Sequence, residues 1–186
     1  MTRGHQERLA PMAAEVMTEA GLDFSALDRI GVTLGPGSFT GVRVGLAFAK
    51  GLSVALDIPC VGVGTLQALA ASDPPGPIVA VTDARHGQLY IQAFDGGDPL
   101  SPPQALSLSD AVAAVKSTFE GRNPGFVGPG AAALAGHFEG ARLNRLAAPD
   151  PFAVARLAGA MPLPDVRPRP IYLRPPDART LAERNA

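Results

Sequence analysis

Three glycines and two hydroxyl residues stand close together in residues 35–41, which read Gly-Pro-Gly-Ser-Phe-Thr-Gly. An apolar run at residues 30–34 precedes them and a long Gly/Ala/Val segment follows, so the pattern predicts a strand, a loop and the start of a helix. Glycine permits positive φ and close backbone approach, and free N–H groups of the helix N-terminus lie beside Ser38 and Thr40. Such a loop can hold an anion or dock against a second backbone, and the sequence leaves both alternatives open.

The loop departs from three known glycine motifs. No Gly-Lys-Ser/Thr follows it, so it is not a Walker A loop. Read from Gly35 as Gly-x-Gly-x-x-Gly, it has Thr40 where the dinucleotide fingerprint needs its third glycine. Pro36 and Thr40 flank Ser38 at the two positions where a nucleophile elbow needs glycines. We therefore expect that Ser38 is not a nucleophile.

Acid–base and metal-binding patterns are sparse in the rest of the sequence. Asp83 and Arg85 lie between two predicted strands, and we favour pairing between them at a hairpin tip over a role in a binding site. The three histidines are far apart, and neither His-x-x-x-His nor Cys-x-x-Cys occurs. We therefore expect no metal site and little catalytic equipment.

Length and composition indicate a globular chain without a strong electrostatic preference. Its 186 residues, 46% hydrophobic and 18% charged, suit one domain or two small lobes. The net charge of −1 gives no overall footprint for nucleic acid, so an RNA contact needs a local patch or a basic partner. The single cysteine, Cys60, excludes an internal disulfide and fits a reducing compartment. The sequence shows neither a signal peptide nor an apolar run of about 18 residues. We expect a cytoplasmic protein with no membrane contact.

Two N-terminal helices are predicted with different surfaces. The second, residues 40–56, is apolar nearly all round, so it is either buried on every side or packs a partner with one face. In it, Gly41, Gly45 and Ala49 form a ridge of small residues that permits close helix approach. The first helix ends at Gly21 and carries a single apolar stripe. That stripe consists of Leu9, Met12, Ala13, Val16, Met17 and Ala20.

The remaining elements divide the chain at a proline-rich segment, residues 72–77. Before it we predict a strand at 60–63 and a helix at 65–71. After it we predict a hairpin over 78–94, a helix at 107–115, helical stretches within 141–160, and an extended run at 170–174. The Gly128-Pro129-Gly130 stretch formally matches Gly-x-Gly-x-x-Ala, but a lone match of this kind is typical of a turn. We therefore predict a first lobe at residues 1–73, a second lobe at residues 77–165, and a Pro/Arg-rich tail at residues 166–186 that packs back on the lobes.

Four segments of this chain resemble the TsaB family, formerly YeaZ. They are Gly-Pro-Gly-Ser-Phe-Thr-Gly-Val-Arg-Val-Gly at 35–45, Val-Gly-Val-Gly-Thr-Leu at 61–66, Thr-Asp-Ala-Arg at 82–85, and Pro-Ile-Tyr-Leu-Arg at 170–174. TsaB is the bacterial accessory subunit of the machinery that makes threonylcarbamoyladenosine next to the anticodon of tRNA. The resemblance runs from about residue 3 to residue 174, and the first segment is its most specific part.

The resemblance implies an actin-like, two-lobed α/β fold of the sugar-kinase and Hsp70 superfamily, with no transferase activity of its own. The catalytic paralogue TsaD carries a His-x-x-x-His metal pair where this chain has Gly-Thr-Leu-Gln-Ala-Leu at 64–69. In the family, the two helices around the glycine loop form a bundle with TsaD, or with a second TsaB when TsaD is absent. That bundle implies a partner interface at Leu9, Met12, Val16, Val44, Gly45, Phe48 and Leu52.

One departure from the family pattern concerns the start of the chain. TsaB-like chains ordinarily begin with a strand that carries an Asp-Thr motif, followed by a hairpin, and this sequence starts after them. Those strands would pair beside residues 30–34, and their absence predicts a first lobe truncated at its N-terminus, with an open sheet edge and uncovered apolar helix faces. We interpret Met1 as a misassigned or alternative internal start.

Two functional hypotheses of different class follow. The first is a non-catalytic scaffold that binds TsaD and, through the complex, the ATPase TsaE, with tRNA contacted only indirectly. The second is an enzyme, either a peptidase or a nucleotide hydrolase that uses the glycine loop. The resemblance implies no cofactor of the chain's own, with ATP or ADP at the interface with TsaD as the candidate ligand. The candidate loop and nucleotide residues are Gly35, Gly37, Ser38, Thr40, Gly41, Arg43, Asp83 and Arg85.

Overall fold

The computed structural model describes residues 5–174; residues 1–4 and the last part of the predicted tail, 175–186, lie outside the described residues. Within that range the chain forms two sheets and the helices that cover them. The helices are α1 His5–Ala20, α2 Phe39–Leu56, α3 Thr65–Ala71, α4 Leu108–Phe119, α5 Ala131–Ala135 and α6 Pro151–Ala160, with a 3-10 turn at Phe24–Ala26. The strands are β1 Ile30–Thr33, β2 Cys60–Val63, β3 Ile78–Arg85, β4 Gln88–Asp95, β5 Asp98–Pro99, β6 Gln104–Ser107, β7 Gly125–Val127 and β8 Leu143–Asn144.

The first sheet consists of β1 and β2, which run parallel with Ile30 opposite Cys60. A parallel pair needs a long crossover, and α2 supplies it. Ser38 begins this helix because its Oγ accepts a hydrogen bond from the Gly41 N–H at 3.3 Å. Asp57, in the left-handed conformation with φ of 53°, ends it.

The second sheet has six strands in the order β5-β4-β3-β7-β8, with β6 paired to β4. β3 and β4 form an antiparallel hairpin, whereas β3 and β7 run parallel. The central strand β3 is covered on both faces: Val79 and Val81 pack with α4 and α5, and Ile78 and Ala80 pack with α3. An apolar residue at every position of 78–81 is what a strand between two helical layers requires.

Helix α6 packs on the first sheet although it follows the second sheet in sequence. Ala158 forms a buried cluster with Val61 and Val63, and a Cβ added at Gly31 would lie 2.8 Å from the Ala158 Cβ. The predicted second lobe, residues 77–165, includes α6. The helix lies against β1 and β2 because their apolar face needs a covering layer, which α6 provides.

Most of the predicted elements are confirmed, with shifted ends. The first helix, the strand at 60–63, the short helix at 65–71 and the hairpin over 78–94 are all present. Helix α4 continues to Phe119, four residues beyond the predicted end. The run at 170–174, predicted as extended, forms no strand of either sheet, and the chain bends at residues 173 and 174. The second glycine stretch forms a turn in which the Gly130 N–H donates to the Val81 carbonyl at 3.1 Å.

Candidate functional site

The glycine loop is docked against two other segments of backbone. The Gly35 N–H donates to Thr65 Oγ1 at 3.1 Å, and the Thr65 N–H donates to the Gly35 carbonyl at 2.9 Å. Gly35 has φ of +96°, and a Cβ there would lie 3.1 Å from the Ile171 carbonyl oxygen. Glycine is required at this position for both reasons. Of the two alternatives that the sequence left open, the structure displays the docked backbone.

The rest of the loop is more open. Ser38 is occupied as the cap of α2 through its bond to Gly41. Gly37 and Thr40 are exposed, and a Cβ at Gly37 would meet only the Val42 side chain, at 3.9 Å. The N-terminal turn of α2 therefore borders solvent with room above it.

A cleft of about 490 Å³ lies between this loop and the tip of the β3–β4 hairpin. It brings together residues far apart in sequence: the loop, Asp83 and Arg85 on the hairpin, and the segment 171–174 along one wall. The predicted loop residues and the predicted hairpin residues thus line one space. Its lining consists of Pro36, Gly37, Ser38, Phe39, Thr40, Val42, Asp83, Ala84, Arg85, Tyr90, Ile171, Tyr172, Leu173 and Arg174.

Asp83 and Arg85 interact, but not through an ion pair of their side chains. The Asp83 carboxylate accepts a hydrogen bond from the Arg85 backbone N–H at 2.7 Å. That bond closes a tight turn in which Arg85 adopts φ of 61° at an irregularity of the strand register. Asp83 and Arg85 therefore pair at the hairpin tip, as predicted. The group of Arg85 that makes the contact is its backbone N–H and not its guanidinium.

The segment 170–174 crosses from one sheet to the other. The Ile171 N–H donates to the Leu34 carbonyl at 2.8 Å, next to the glycine loop. Arg174 donates through Nη1 to the Ala84 carbonyl at 2.7 Å, at the hairpin tip. We call residues 170–174 the strap, because this segment is hydrogen-bonded to both sides of the cleft.

Arg43 is held by two aromatic rings that the sequence analysis did not select. Its guanidinium carbon lies 3.7 Å from the centre of the Phe39 ring, and its Nε donates to the Tyr172 hydroxyl at 2.7 Å. The two rings are themselves 5.4 Å apart. Phe39 and Arg43 are four residues apart on one helix, a spacing visible in the sequence, but Tyr172 comes from the strap and no local signal points to it.

The predicted interface residues fall into two groups. Met12 and Val16 on α1 are 48% and 61% exposed, whereas Leu9 is half-buried. The four predicted residues of α2, namely Val44, Gly45, Phe48 and Leu52, are also half-buried. The outward face of α2 is instead formed by residues that the prediction did not include. They are Ala47, Gly51, Val54 and Ala55.

Helix α2 is apolar yet largely uncovered. Of its 18 residues only Leu46 and Ala49 are buried, and Val54 is 61% exposed. Its mean hydropathy of 1.3 makes it long and apolar enough to cross a membrane by length and composition, despite Arg43 and Lys50. The sequence pattern predicts no apolar run of this length, because those two charges interrupt it. One helix of this kind is weak evidence for a membrane span.

Nothing in this arrangement assembles a nucleophile with a base. Ser38 caps a helix, Asp83 closes a turn, and within residues 7–174 no three His, Cys, Asp or Glu side chains come together. What the cleft does offer is the N-terminus of α2 together with Asp83 and Arg85, in a space that apolar side chains such as Val42 and Leu173 also line. Such a space can bind a small ligand that carries an anionic group.

Comparison with known proteins identifies relatives of the whole chain. Residues 1–100 match the family model described as TsaD: tRNA N6-adenosine threonylcarbamoyltransferase. An uncharacterized protein of Mycobacterium tuberculosis is 35% identical over 188 residues, covering 97% of this chain and 80% of that protein. The tRNA threonylcarbamoyladenosine biosynthesis protein TsaB of Bacillus subtilis is 34% identical over 122 residues, 62% of this chain and 53% of that protein. The chain thus spans about half of the Bacillus protein, and 48% of a Mycobacterium leprae relative.

A solved structure confirms the architecture. A Pseudomonas aeruginosa protein with similarity to peptidase YeaZ superimposes with a TM-score of 0.76 at 26% identity. The superposition covers 94% of this chain and 86% of that chain. Together with the family match, it confirms the predicted actin-like α/β fold.

Proposed function

The chain belongs to the TsaB family, whose named members are tRNA threonylcarbamoyladenosine biosynthesis proteins, and we propose that it serves that pathway as a non-catalytic scaffold. In this proposal it binds TsaD, the tRNA N6-adenosine threonylcarbamoyltransferase, through α1 and α2. TsaE and tRNA are reached through the complex, a homodimer forms when TsaD is absent, and the protein works in the cytoplasm.

The observation that carries the proposal is the uncovered apolar surface of α2 and α1. Only two residues of α2 are buried, while Met12, Val16 and Val54 leave about half or more of their surface in solvent. Exposed apolar residues on two neighbouring helices are typical of a protein–protein contact site. A helical partner that packs against both helices would bury it and complete a helical bundle.

The structural roles of the candidate site residues support the proposal that the chain is not itself a catalyst. Gly35, Ser38 and Asp83 all serve local structure, as a docked loop, a helix cap and a turn. Within residues 64–69, where the transferase is expected to carry its His-x-x-x-His pair, a spacing of four puts one ligand at position 68 or 69, and this chain has the fully buried Ala68 and Leu69 there. Metal ligands at these positions would have to enter an apolar core, at a large cost in free energy.

The cleft favours one second candidate, the binding of ATP or ADP, and with it the nucleotide-hydrolase alternative. The N-terminal turn of α2 and Arg85 on the hairpin line the same space. Isothermal titration with ADP, followed by an ATP turnover assay, tests this candidate. Absence of binding at millimolar ADP would remove it and leave the scaffold proposal unaffected.

The scaffold proposal is tested by binding to the cognate transferase, measured by size-exclusion chromatography with light scattering. Val16→Asp and Val54→Asp place a charge on the uncovered surface without disturbing a buried side chain, so each should abolish the complex while the chain stays folded. Phe48 is a poorer site for this test because it is half-buried, and a charge there would also disturb folding. Phe152→Asp on α6 is the matched control, since Phe152 is 83% exposed and lies outside α1 and α2.

The outcomes separate clearly. Loss of the complex with Val16→Asp and Val54→Asp, but not with Phe152→Asp, supports docking through α1 and α2. Wild-type affinity in all three variants would refute that surface as the interface. A tRNA threonylcarbamoylation assay with the same variants should lose activity in step with the loss of binding.

A further inference from the structure

We infer that Arg43 is a recognition residue at the proposed interface and that it binds a carboxylate side chain of the partner protein. The inference rests on the proposed function, because it assumes that a partner packs on α2. It adds the chemistry that this partner must present at the N-terminal end of that helix. Its basis is the geometry of the guanidinium and the nature of the surface around it.

The guanidinium is held in place on one edge and free on the other. Its Nε is committed to the Tyr172 hydroxyl, and its plane is stacked on Phe39. Among the described side chains, no carboxylate lies within ion-pair distance of Arg43, and its Nη1 and Nη2 have no acceptor. Two N–H groups on one rigid edge match the two oxygens of a carboxylate.

Fixing the side chain in advance makes it a better receptor than a mobile surface arginine. A free arginine loses rotamer freedom when it binds, and this loss opposes association. Phe39 and Tyr172 impose that restriction before any partner arrives. Arginine and tyrosine are also among the residue types most often found at the energetic centre of interfaces.

The surroundings favour a protein carboxylate over a phosphate. Nucleic-acid backbones are bound by several cations acting together. Arg43 instead leads into the exposed apolar residues Ala47, Gly51 and Val54, and Lys50, the other cation of α2, is half-buried. Arg43 also does not line the cleft where a nucleotide would sit. One cation at the end of an apolar face is the pattern of a protein interface, in which a single acidic side chain fixes the orientation of the partner.

The test measures the affinity of the intact chain for its cognate transferase by isothermal titration. Arg43→Lys keeps the charge but cannot form two parallel hydrogen bonds with one carboxylate, so we expect a complex about tenfold weaker. Arg43→Met also removes the charge and should weaken the complex about a hundredfold. Tyr172→Phe keeps the stacked ring and loses only the orienting bond, so a loss of a few-fold is expected. Arg145→Lys, the same change at an exposed arginine just after β8 and outside the cleft, is the matched control and should bind as wild type does.

A charge exchange identifies the carboxylate itself. Arg43→Glu should abolish the complex, and arginine scanning of exposed acidic residues on the transferase should reveal one position that restores it. Rescue at a single position supports the inference, because a merely structural role of Arg43 would not be rescued from the partner. Absence of any rescuing position, or a wild-type affinity for Arg43→Lys, would overturn it.

Two further outcomes keep the proposals apart. If Val54→Asp abolishes binding while Arg43→Lys has no effect, docking on α2 stands and only the carboxylate inference fails. If none of the α1 and α2 variants matters, both fail together. If Arg43→Lys weakens the complex only in the presence of ADP or tRNA, the group recognised is a phosphate, and the inference of a protein carboxylate is wrong.

Discussion

Replacing Arg29 with methionine should destabilise the first sheet by about 2 kcal/mol, and the reason lies at the end of α6. Arg29 stands just before β1 and reaches the last turn of that helix. Its Nη1 donates to the carbonyl oxygens of Ala158 at 3.2 Å, Gly159 at 2.9 Å and Met161 at 3.3 Å. These carbonyls have no partner within the helix, and they carry the negative end of its dipole.

The expected change in the free energy of unfolding is set by the hydrogen bonds that Nη1 of Arg29 can form. A hydrogen bond from a charged donor contributes about 1.5–3 kcal/mol. Nη1 has two hydrogens for three carbonyls, so the bonds are shared and cannot be added in full. The side chain is 28% exposed, which leaves water as a partial substitute and lowers the figure further. Methionine keeps most of the stem, so the loss of about 2 kcal/mol reflects the bonds and not the packing.

Urea unfolding followed by circular dichroism measures this change. The control is Asp28→Asn, which breaks the ion pair of Arg29 with a carboxylate that is 86% exposed. We expect that control to change the free energy of unfolding by less than about 0.5 kcal/mol. The m-value should stay constant in both variants. If Arg29→Met unfolds at the same urea concentration as Asp28→Asn, the guanidinium does not support α6 and the reasoning is refuted.

Two further predictions concern a glycine and the buried thiol. Gly128→Ala should cost at least about 3 kcal/mol, because Gly128 has φ of +113° and an added Cβ would meet the Val81 carbonyl; Gly121→Ala, at φ of +85° in open space, should cost only about 1 kcal/mol. Equal midpoints for the two variants in thermal unfolding would contradict the role of that contact. Burial raises the pKa of the Cys60 thiol above its ordinary value of 9.0. The unfolded thiol therefore loses its proton first as the pH rises, so the free energy of unfolding should be unaffected below about pH 8 and decrease above pH 9. Cys60→Ala should show less of this decrease, and an identical pH profile for both chains would refute the prediction.

The local features of the site could be predicted from the sequence. The strand, loop and helix around residues 35–41 follow from an apolar run, three glycines and a capping serine, all of which act over a few residues. The hairpin carrying Asp83 follows in the same way, from two apolar runs separated by turn residues. These predictions succeed because the interactions that determine the loop and the hairpin are between residues close together in sequence.

The assembly of the cleft could not be predicted in this way. Arg43 meets Tyr172 across 129 positions of sequence, and Arg174 meets Ala84 across 90. Neither contact leaves a periodic signal, since the strap is a short segment that forms no strand of either sheet. Helix α6 returns to the first sheet for a reason that is equally non-local, the apolar face of β1 and β2 that needs a cover.

Helix α2 shows why an apolar pattern alone could not separate core from interface. A helix that is apolar all round has no polar side to set its rotation, so the positions that turn inward depend on the sheet beneath it. The structure turns Leu46 and Ala49 inward and leaves Ala47 and Val54 outward. The ridge that we predict for close helix approach runs from the exposed Gly41 through Gly45, where an added Cβ would meet nothing within 4 Å, to Ala49, which faces the chain's own core. The surface free for a partner is the opposite one, with Arg43 at its N-terminal end, and variants on that surface are the ones that distinguish docking from folding.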